Sequence, residues 1–386
     1  MPKQHHKSKK RAAPFLTRIL GQLKSGAKPG IDKSLLITIL ILASFGALAV
    51  FNSSVVSAFR EFGDQYHFVK DHLVYLGIGS GLMLVFSQID YHNWYKLAIP
   101  LLFVTLILLL AVFIPGIGVH ALGARRWINV GFSLQPTELA KLALVVYLSA
   151  WFSSSEKGRL GPFLVLMGLV LGLIILQPDM GTAVIIVTLA GVLYFISGAP
   201  LIHFLALIPV FVIGILGLAV VAPYRLARIT TFLSPNTDPL GTSYHIRQVL
   251  IALGSGGWFG LGLGKSRQKY EYLPEANTDS IFAIIAEEIG FLGTFIFICA
   301  FIFIVYRAFV IASRAPDRFG QLLGIGIGAW FAIQTLINLS AMVALIPLTG
   351  VPLPLVSSGG SNLISLLIGF GILLNISKHQ VKYARK

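Results

Sequence analysis

The chain is poor in charge and almost devoid of cysteine. Only 12% of its 386 residues are Asp, Glu, Lys or Arg, about half the share of an ordinary soluble domain. So few polar groups cannot cover a water-soluble globule of this length. The single cysteine, Cys299, sits inside an apolar block, which excludes an intramolecular disulfide framework and a multi-cysteine metal site. The nine histidines are scattered through the tail and loops without zinc-cluster spacing. A phosphate-binding glycine loop is missing, which argues against an ATP-driven pump, and so is a serine-hydrolase elbow. Acidic residues are scarce: 15 against 30 basic ones, a formal charge of +15. Such a surplus can mark nucleic-acid binding, but the basic residues lie mainly in tails and loops between apolar blocks. No nucleic acid is expected as a partner.

Apolar sequence is abundant, at 56%. It comes in blocks of about 18–25 residues, long enough at 1.5 Å per residue to cross ~30 Å of hydrocarbon. Spans are expected near 34–52, 72–89, 97–114, 137–153, 161–176, 182–198, 201–221, 281–306, 320–346 and 355–377. The expected fold is therefore an all-α polytopic membrane protein with ten transmembrane helices in a domain over 34–377. Residues 1–33 read as a basic cytoplasmic tail with nine Lys/Arg and one acid, Asp32, attracted to anionic membrane lipids. With the N-terminus inside, inner segments hold 19 Lys/Arg, including those of a C-terminal tail at 378–386. The short outer loops then hold only Arg60, Lys70, Arg125 and Arg126. That asymmetry is what the positive-inside rule expects, with both termini cytoplasmic.

The long loop at 222–280, between helices 7 and 8, is expected outside the membrane. About 59 residues without a span are rarely idle. Ser243–Ile251 has helical spacing, and Gly254–Gly264 is a glycine-rich re-entrant or interfacial candidate. Such backbone is tolerated at membrane depth only where protein or a watery cavity satisfies it, so a cavity opening outward is expected.

Polar residues in or beside apolar spans are costly and therefore informative. Four groups stand out on the outer side. In the first, Gly123-Ala-Arg-Arg-Trp127 precedes Gln135-Pro-Thr-Glu138 and Lys141; Glu138 and Lys141 share a helix face and can pair. In the second, Gln177-Pro-Asp-Met-Gly-Thr182, Asp179 can cap the following helix or serve substrate or folding. In the third, Glu275, Asp279, Glu287 and Glu288 fall within fourteen residues at the mouth of an apolar helix. Asp279 can be an N-cap and Glu287 and Glu288 can pair with neighbouring helices. So many acids nonetheless repel unless a cation or basic ligand compensates, which favours functional carboxylates. In the fourth, Pro347–Ser361, dense Pro and Gly break a helix and expose amides and hydroxyls, either as an anion cradle or as a simple kink.

Together these segments resemble the SEDS family (shape, elongation, division and sporulation), whose members polymerise glycan strands from lipid II. The resemblance covers about residues 34–378. Gly123–Glu138, Gln177–Thr182, Leu273–Gly290 and Pro347–Ser361 are similar, in order, to the family's four motifs. Arg125-Arg126-Trp127, Leu273-Pro-Glu-Ala276 and Arg314-Ala-Pro-Asp-Arg-Phe319 look more like the division branch, FtsW and its sporulation relatives, than the elongation branch, RodA. Asn277, Ser280, Ala286 and Ser358 depart from the usual His, Phe, Gly and Tyr; Asp279 is retained.

The resemblance implies a peptidoglycan glycosyltransferase acting at the outer face of the bacterial cytoplasmic membrane, at the division septum. Its substrates would be lipid II and glycan linked to undecaprenyl pyrophosphate. Asp279 takes the role of the family's catalytic aspartate, a general base on the attacking 4-hydroxyl. Arg125, Arg126, Lys141, Arg247 and Lys265 are candidates for the pyrophosphate, with Glu275, Ser357 and Ser361 as further substrate contacts. Glu138, Asp179, Glu287 and Glu288 are structural or functional carboxylates, and a divalent cation, Mg or Mn, is a candidate cofactor. A class B penicillin-binding protein and other division proteins are the implied partners. A lipid-linked-precursor flippase and a scaffold for a partner transpeptidase remain open. The outward loop with Asp279 at its boundary favours the enzyme, because transporters hold key ionisable groups near the bilayer midplane.

Overall fold

The computed structural model describes residues 30–121, 124–129, 131, 133–154, 159–221, 230, 232, 243–270 and 272–380. The basic tail before residue 30, the end of the chain after 380 and most of 222–242 lie outside the described residues. Eleven helices run through the described residues: α1 (Lys33–Phe62), α2 (His67–Gln88), α3 (His92–Ala111), α4 (Pro136–Ser153), α5 (Leu160–Leu176), α6 (Met180–Ile196), α7 (Leu201–Val221), α8 (Tyr244–Ser255), α9 (Ile281–Ser313), α10 (Arg318–Met342) and α11 (Gly360–Lys378). This is an all-α polytopic membrane protein with one small exception. Between α3 and α4 lies an antiparallel sheet of β1 (Gly118–Ala121), β2 (Ala124–Asn129) and β3 (Ser133–Leu134), in that order. Strands this short are invisible to a search for apolar runs long enough to span a membrane. Among the described residues, α1, α2, α3, α9, α10 and α11 are long and apolar enough to cross a membrane, and α5 and α6 are shorter apolar helices.

Local chemistry sets the helix ends. The carboxylates of Asp32, Asp179 and Asp317 accept the N–H groups of Leu35, Thr182 and Gly320 at 3.0, 3.1 and 2.8 Å, capping α1, α6 and α10. Helix α1 continues ten residues past its apolar run, with the Ser53 and Ser54 hydroxyls turned back onto Val50 O. It stops at Gly63, whose φ of 70° closes a left-handed cap on Phe59 O.

Packing divides the bundle into centre and rim. The apolar windows of α10 and α11 are 72% and 83% buried, against 17% and 28% for α2 and α3, whose leucines and valines face outward. Without water to expel, helices in lipid associate through close packing. A Cβ at Gly371 of α11 would lie 2.6 Å from Met83 O of α2, so only glycine permits this approach.

The two faces of the bundle are chemically distinct. On one, Asp32 pairs with Arg307 of α9, its N–H donates to Ser377 of α11 at 3.0 Å, and the Tyr91 N–H donates to Asn375 at 2.9 Å. The opposite face gathers the sheet, the α5–α6 turn, the segment 243–280 and the α10–α11 connection. There α9 is interrupted at Gly290 (φ 67°, ψ −171°). The glycine-rich run expected to be re-entrant or interfacial docks on this break. Leu261 and Gly262 donate to the carbonyls of Glu287 and Glu288, while Phe291 and Leu292 donate to Gly257 and Trp258, all at 2.8–3.1 Å. Backbone groups orphaned by the break and by the loop thus satisfy each other.

Candidate active site

All four polar motifs meet in one cavity of about 580 Å³ on the sheet-bearing face. Strand β2 brings Arg126 and Trp127, and the start of α4 brings Gln135, Glu138 and Lys141. Pro178, Asp179 and Thr182 come from the α5–α6 turn, and Glu275, Thr278 and Asp279 precede α9. The α10–α11 connection and α11 supply residues 350–352, Ser358, Gly359, Ser361 and Asn362. Four carboxylates and two cations share this wall.

Each element is tied to the next through named bonds. Arg126 donates to Gln177 O at 3.1 Å and Pro178 O at 2.5 Å, joining β2 to the α5–α6 turn. Arg125, the preceding residue of β2, is exposed and stands outside the lining. Pro136 opens α4 where a missing N–H is harmless. The Gln135 N–H donates to Ser361 Oγ at 3.0 Å, and that hydroxyl donates on to Ser133 O. Glu138 and Lys141 pair at 2.8 Å, both almost fully buried; Lys141 also donates to Gln334 of α10 at 2.9 Å and lies 5.5 Å from the Trp330 ring centroid. Asp179 caps α6 and also lines the cavity.

The approach to α9 is a tight turn clamped from two sides. Glu275 adopts a left-handed φ of 52°, and its carbonyl accepts the Thr278 and Ser280 N–H groups. Thr278 Oγ1 lies 2.8 Å from Glu275 Oε2 and 3.3 Å from Asp279 Oδ1, bringing two carboxylates to one hydroxyl. Asn338, near the C-terminal end of α10, donates to the carbonyls of Asp279 and Val351, both at 2.8 Å. Ser357 donates to Thr278 O, and the Ser358 N–H donates to Asn277 O at 2.8 Å. The cap position of α9 belongs to Ser280, whose own side chain makes no capping hydrogen bond.

Other expected contacts lie elsewhere. Ser357 is buried beneath the turn as a strut, outside the lining. Arg247 on α8 and the exposed Lys265 also stand outside it. Glu287 and Glu288 point away from the cavity into the glycine-rich loop. Glu287 accepts from Ser255, from the Ser266 hydroxyl and from the N–H groups of Arg267 and Gln268. Glu288 accepts from Asn52 of α1 and the Ser266 N–H, with the Lys269 ammonium 3.9 Å away. Gln334, Asn338 and Asn362 belong to the site's framework but are isolated polar residues within apolar helices. Their intramembrane polarity was the only available signal. Among the described residues, no three His, Cys, Asp or Glu side chains form a group able to hold a metal ion.

The model of a family of cell cycle proteins, FtsW, RodA and SpoVE, matches residues 32–382. The chain is similar to the stage V sporulation protein E of Bacillus subtilis, 41% identical over 91% of this chain and 98% of that one. It is similar to a probable peptidoglycan glycosyltransferase FtsW of Trichlorobacter lovleyi, 42% identical over 90% and 93%. A solved structure described as showing structural coordination of polymerization and crosslinking by a peptidoglycan synthase complex superposes with a TM-score of 0.73. It is 27% identical and covers 90% of this chain and 97% of its own.

Proposed function

This chain belongs to the FtsW, RodA and SpoVE family of cell cycle proteins, and on that premise we propose that it is a peptidoglycan glycosyltransferase. It polymerises lipid II on the outer face of the cytoplasmic membrane. The observation that carries the reading is the convergence of all four motif segments on a single cavity with Asp279 in its wall.

An inverting displacement needs one base to take the proton from the attacking sugar hydroxyl. A carboxylate within hydrogen-bond reach contributes on the order of 10²–10⁴-fold. Asp279 fills that role, held in place through Asn338 at its carbonyl and Ser357 at its neighbour's. Glu275 and Asp279, the pair joined through Thr278, are the residues that would hold a hard divalent cation. They offer too few oxygens alone, so water and substrate phosphate would complete the shell. Such an ion would supply charge neutralisation to a leaving pyrophosphate.

Ten spans with both termini cytoplasmic are part of this reading. The shared latch of Asp32, Arg307 and Ser377 supports it, because an even number of crossings returns the last helix to the first helix's starting face. The similarity to division and sporulation relatives supports work at the septum. A single-span class B penicillin-binding protein is the expected transpeptidase partner, consistent with the synthase complex that the fold matches.

The test is polymerisation of labelled lipid II by the purified chain, alone and with that partner. Asp279→Asn should abolish strand formation while leaving the protein folded. Near-wild-type turnover would remove Asp279 as the base. Transbilayer movement of lipid II without strand formation would instead identify a flippase.

A further inference from the structure

We propose that the glycine-rich loop at 254–267 is a membrane anchor. Trp258, Phe259 and Leu263 enter the lipid boundary on the side away from the Asp32–Arg307 pair, and Lys265 and Arg267 hold anionic phospholipid headgroups there. The inference goes beyond the glycosyltransferase reading and needs neither its activity nor its orientation. With both termini cytoplasmic, the leaflet is the outer one.

The glycines of the loop turn its apolar side chains outward. Gly256 and Gly260 approach α9 so closely that a Cβ would lie 2.4 Å from Ala286 O and 2.0 Å from Glu288 O. Trp258 and Phe259, between them, are 66% and 82% exposed, and Leu263 is 74% exposed. An exposed apolar patch of this kind marks an interaction surface. Its surroundings identify the partner as lipid. Trp258 meets Phe291 of α9 edge to face, with ring centroids 5.2 Å apart. Phe291, Leu292, Phe295 and Ile296 are exposed on α9, a helix long and apolar enough to cross a membrane. Loop and helix thus present one continuous apolar surface.

Two helices give the height of that surface independently. The Asp32–Arg307 pair marks one boundary of the hydrocarbon, because charges are costly inside it. Twenty residues of α1 lead from Asp32 to Asn52, about 30 Å at 1.5 Å per residue. Seventeen residues of α9 lead from Arg307 back to Gly290, about 26 Å. Both distances end where ~30 Å of hydrocarbon ends, and both end at the loop. Asn52 donates to Glu288 and accepts from the Lys269 ammonium at 2.9 Å, while the loop backbone bonds across the Gly290 break.

The side chains suit that level. Tryptophan is favoured at the membrane–water boundary, where its ring meets both media. The sequence from 254 to 270 contains three basic residues and no acid. Lys269 is buried against Glu288 and Asn52, whereas Lys265 and Arg267 are exposed beside the apolar patch. Basic residues at this depth attract anionic headgroups.

The experiment places a fluorophore on the full chain in nanodiscs of phosphatidylcholine and phosphatidylglycerol. Cys299→Ser removes the native thiol, and Phe259→Cys carries the probe. Ile41→Cys, at a 62% exposed position about 14 Å along α1 from Asp32, is the mid-bilayer reference. Lipids with a quencher near the headgroup should quench residue 259 more than lipids with a quencher near the chain end, the reverse of residue 41. Quenching by aqueous iodide and by neither lipid would put the loop in water and overturn the proposal. The depth order of residue 41 would make the loop re-entrant and also overturn it. Leu263→Cys repeats the measurement should labelling at 259 disturb folding. With a class B penicillin-binding protein added, lipid quenching should persist; its loss would make the patch the partner's surface and overturn the anchor. Quencher on phosphatidylglycerol should act preferentially over quencher on phosphatidylcholine, by about fivefold for each basic residue near the surface. Lys265→Gln with Arg267→Gln should abolish that preference. Equal quenching by the two lipids before substitution, or a preference that survives it, would overturn the headgroup assignment. None of these readouts requires lipid II turnover, so the anchor and the glycosyltransferase stand or fall separately.

Discussion

Two pairs of carboxylates lie within fourteen residues of sequence and end in opposite circumstances. Glu287 and Glu288, 1% and 3% exposed, are surrounded by donors from the glycine-rich loop and from α1. Glu275 and Asp279 lie at the wall of an open cavity. A buried carboxylate whose lone pairs are filled by protein donors is a fastener, because any reaction must first break those bonds. One facing a cavity can exchange its partners for substrate. The contrast separates a clamp from a site, and both sets of acids look alike in sequence.

The sharpest way to break this contrast is to neutralise one acid on each side. Asp279→Asn should cost at least 10²–10⁴-fold in lipid II turnover with little change in thermal stability. Unchanged turnover would put the cavity cluster in the same class as the clamp. Next in size is the Glu138–Lys141 pair, buried like the clamp yet lining the cavity. Lys141→Met strands a buried carboxylate and should destabilise by about 3–5 kcal/mol. The double variant with Glu138→Gln should recover much of that loss in thermal or denaturant unfolding. Full stability in the single variant would mean that cavity water solvates the pair. Glu287→Gln weakens charge-assisted bonds that hold the loop and should cost about 1.5–3 kcal/mol. The pH profile of turnover in that variant should match wild type, and a shifted profile would move Glu287 into the reaction.

The smallest effect lies on the opposite face. Burial pushes the Asp32 carboxyl up, but hydrogen bonds from Ser34, Leu35 and Arg307, with the Arg307 charge, hold it below its ordinary value. A carboxyl depressed by folding stabilises above its unfolded pKa and loses that contribution as pH falls through the folded one. Thermal stability should therefore drop below about pH 4, and Asp32→Asn should flatten that dependence. An identical acid slope in the variant would assign it to other groups.

Much of this was legible in one dimension. Apolar runs announce membrane helices because a span must be long and continuous, and Asp179 announces a cap because its chemistry is local. The four motifs were visible as polar breaks that lipid would otherwise penalise. Their joint address was not, nor was the division among the basic candidates. Arg126 reaches the cavity while Arg125 turns away, and Arg247 and Lys265 stand clear of it. The break at Gly290 was hidden as well, because one glycine in a long apolar run reads as helix until a loop occupies the gap.

Composition and the order of apolar blocks were enough to determine a membrane bundle, since solvation by lipid acts on each segment separately. Which carboxylates became fasteners and which became chemistry was decided only in three dimensions. That choice depends on donors arriving from distant helices, such as Asn52 to Glu288 and Asn338 to the backbone of Asp279. No local pattern records how far such partners must travel to meet.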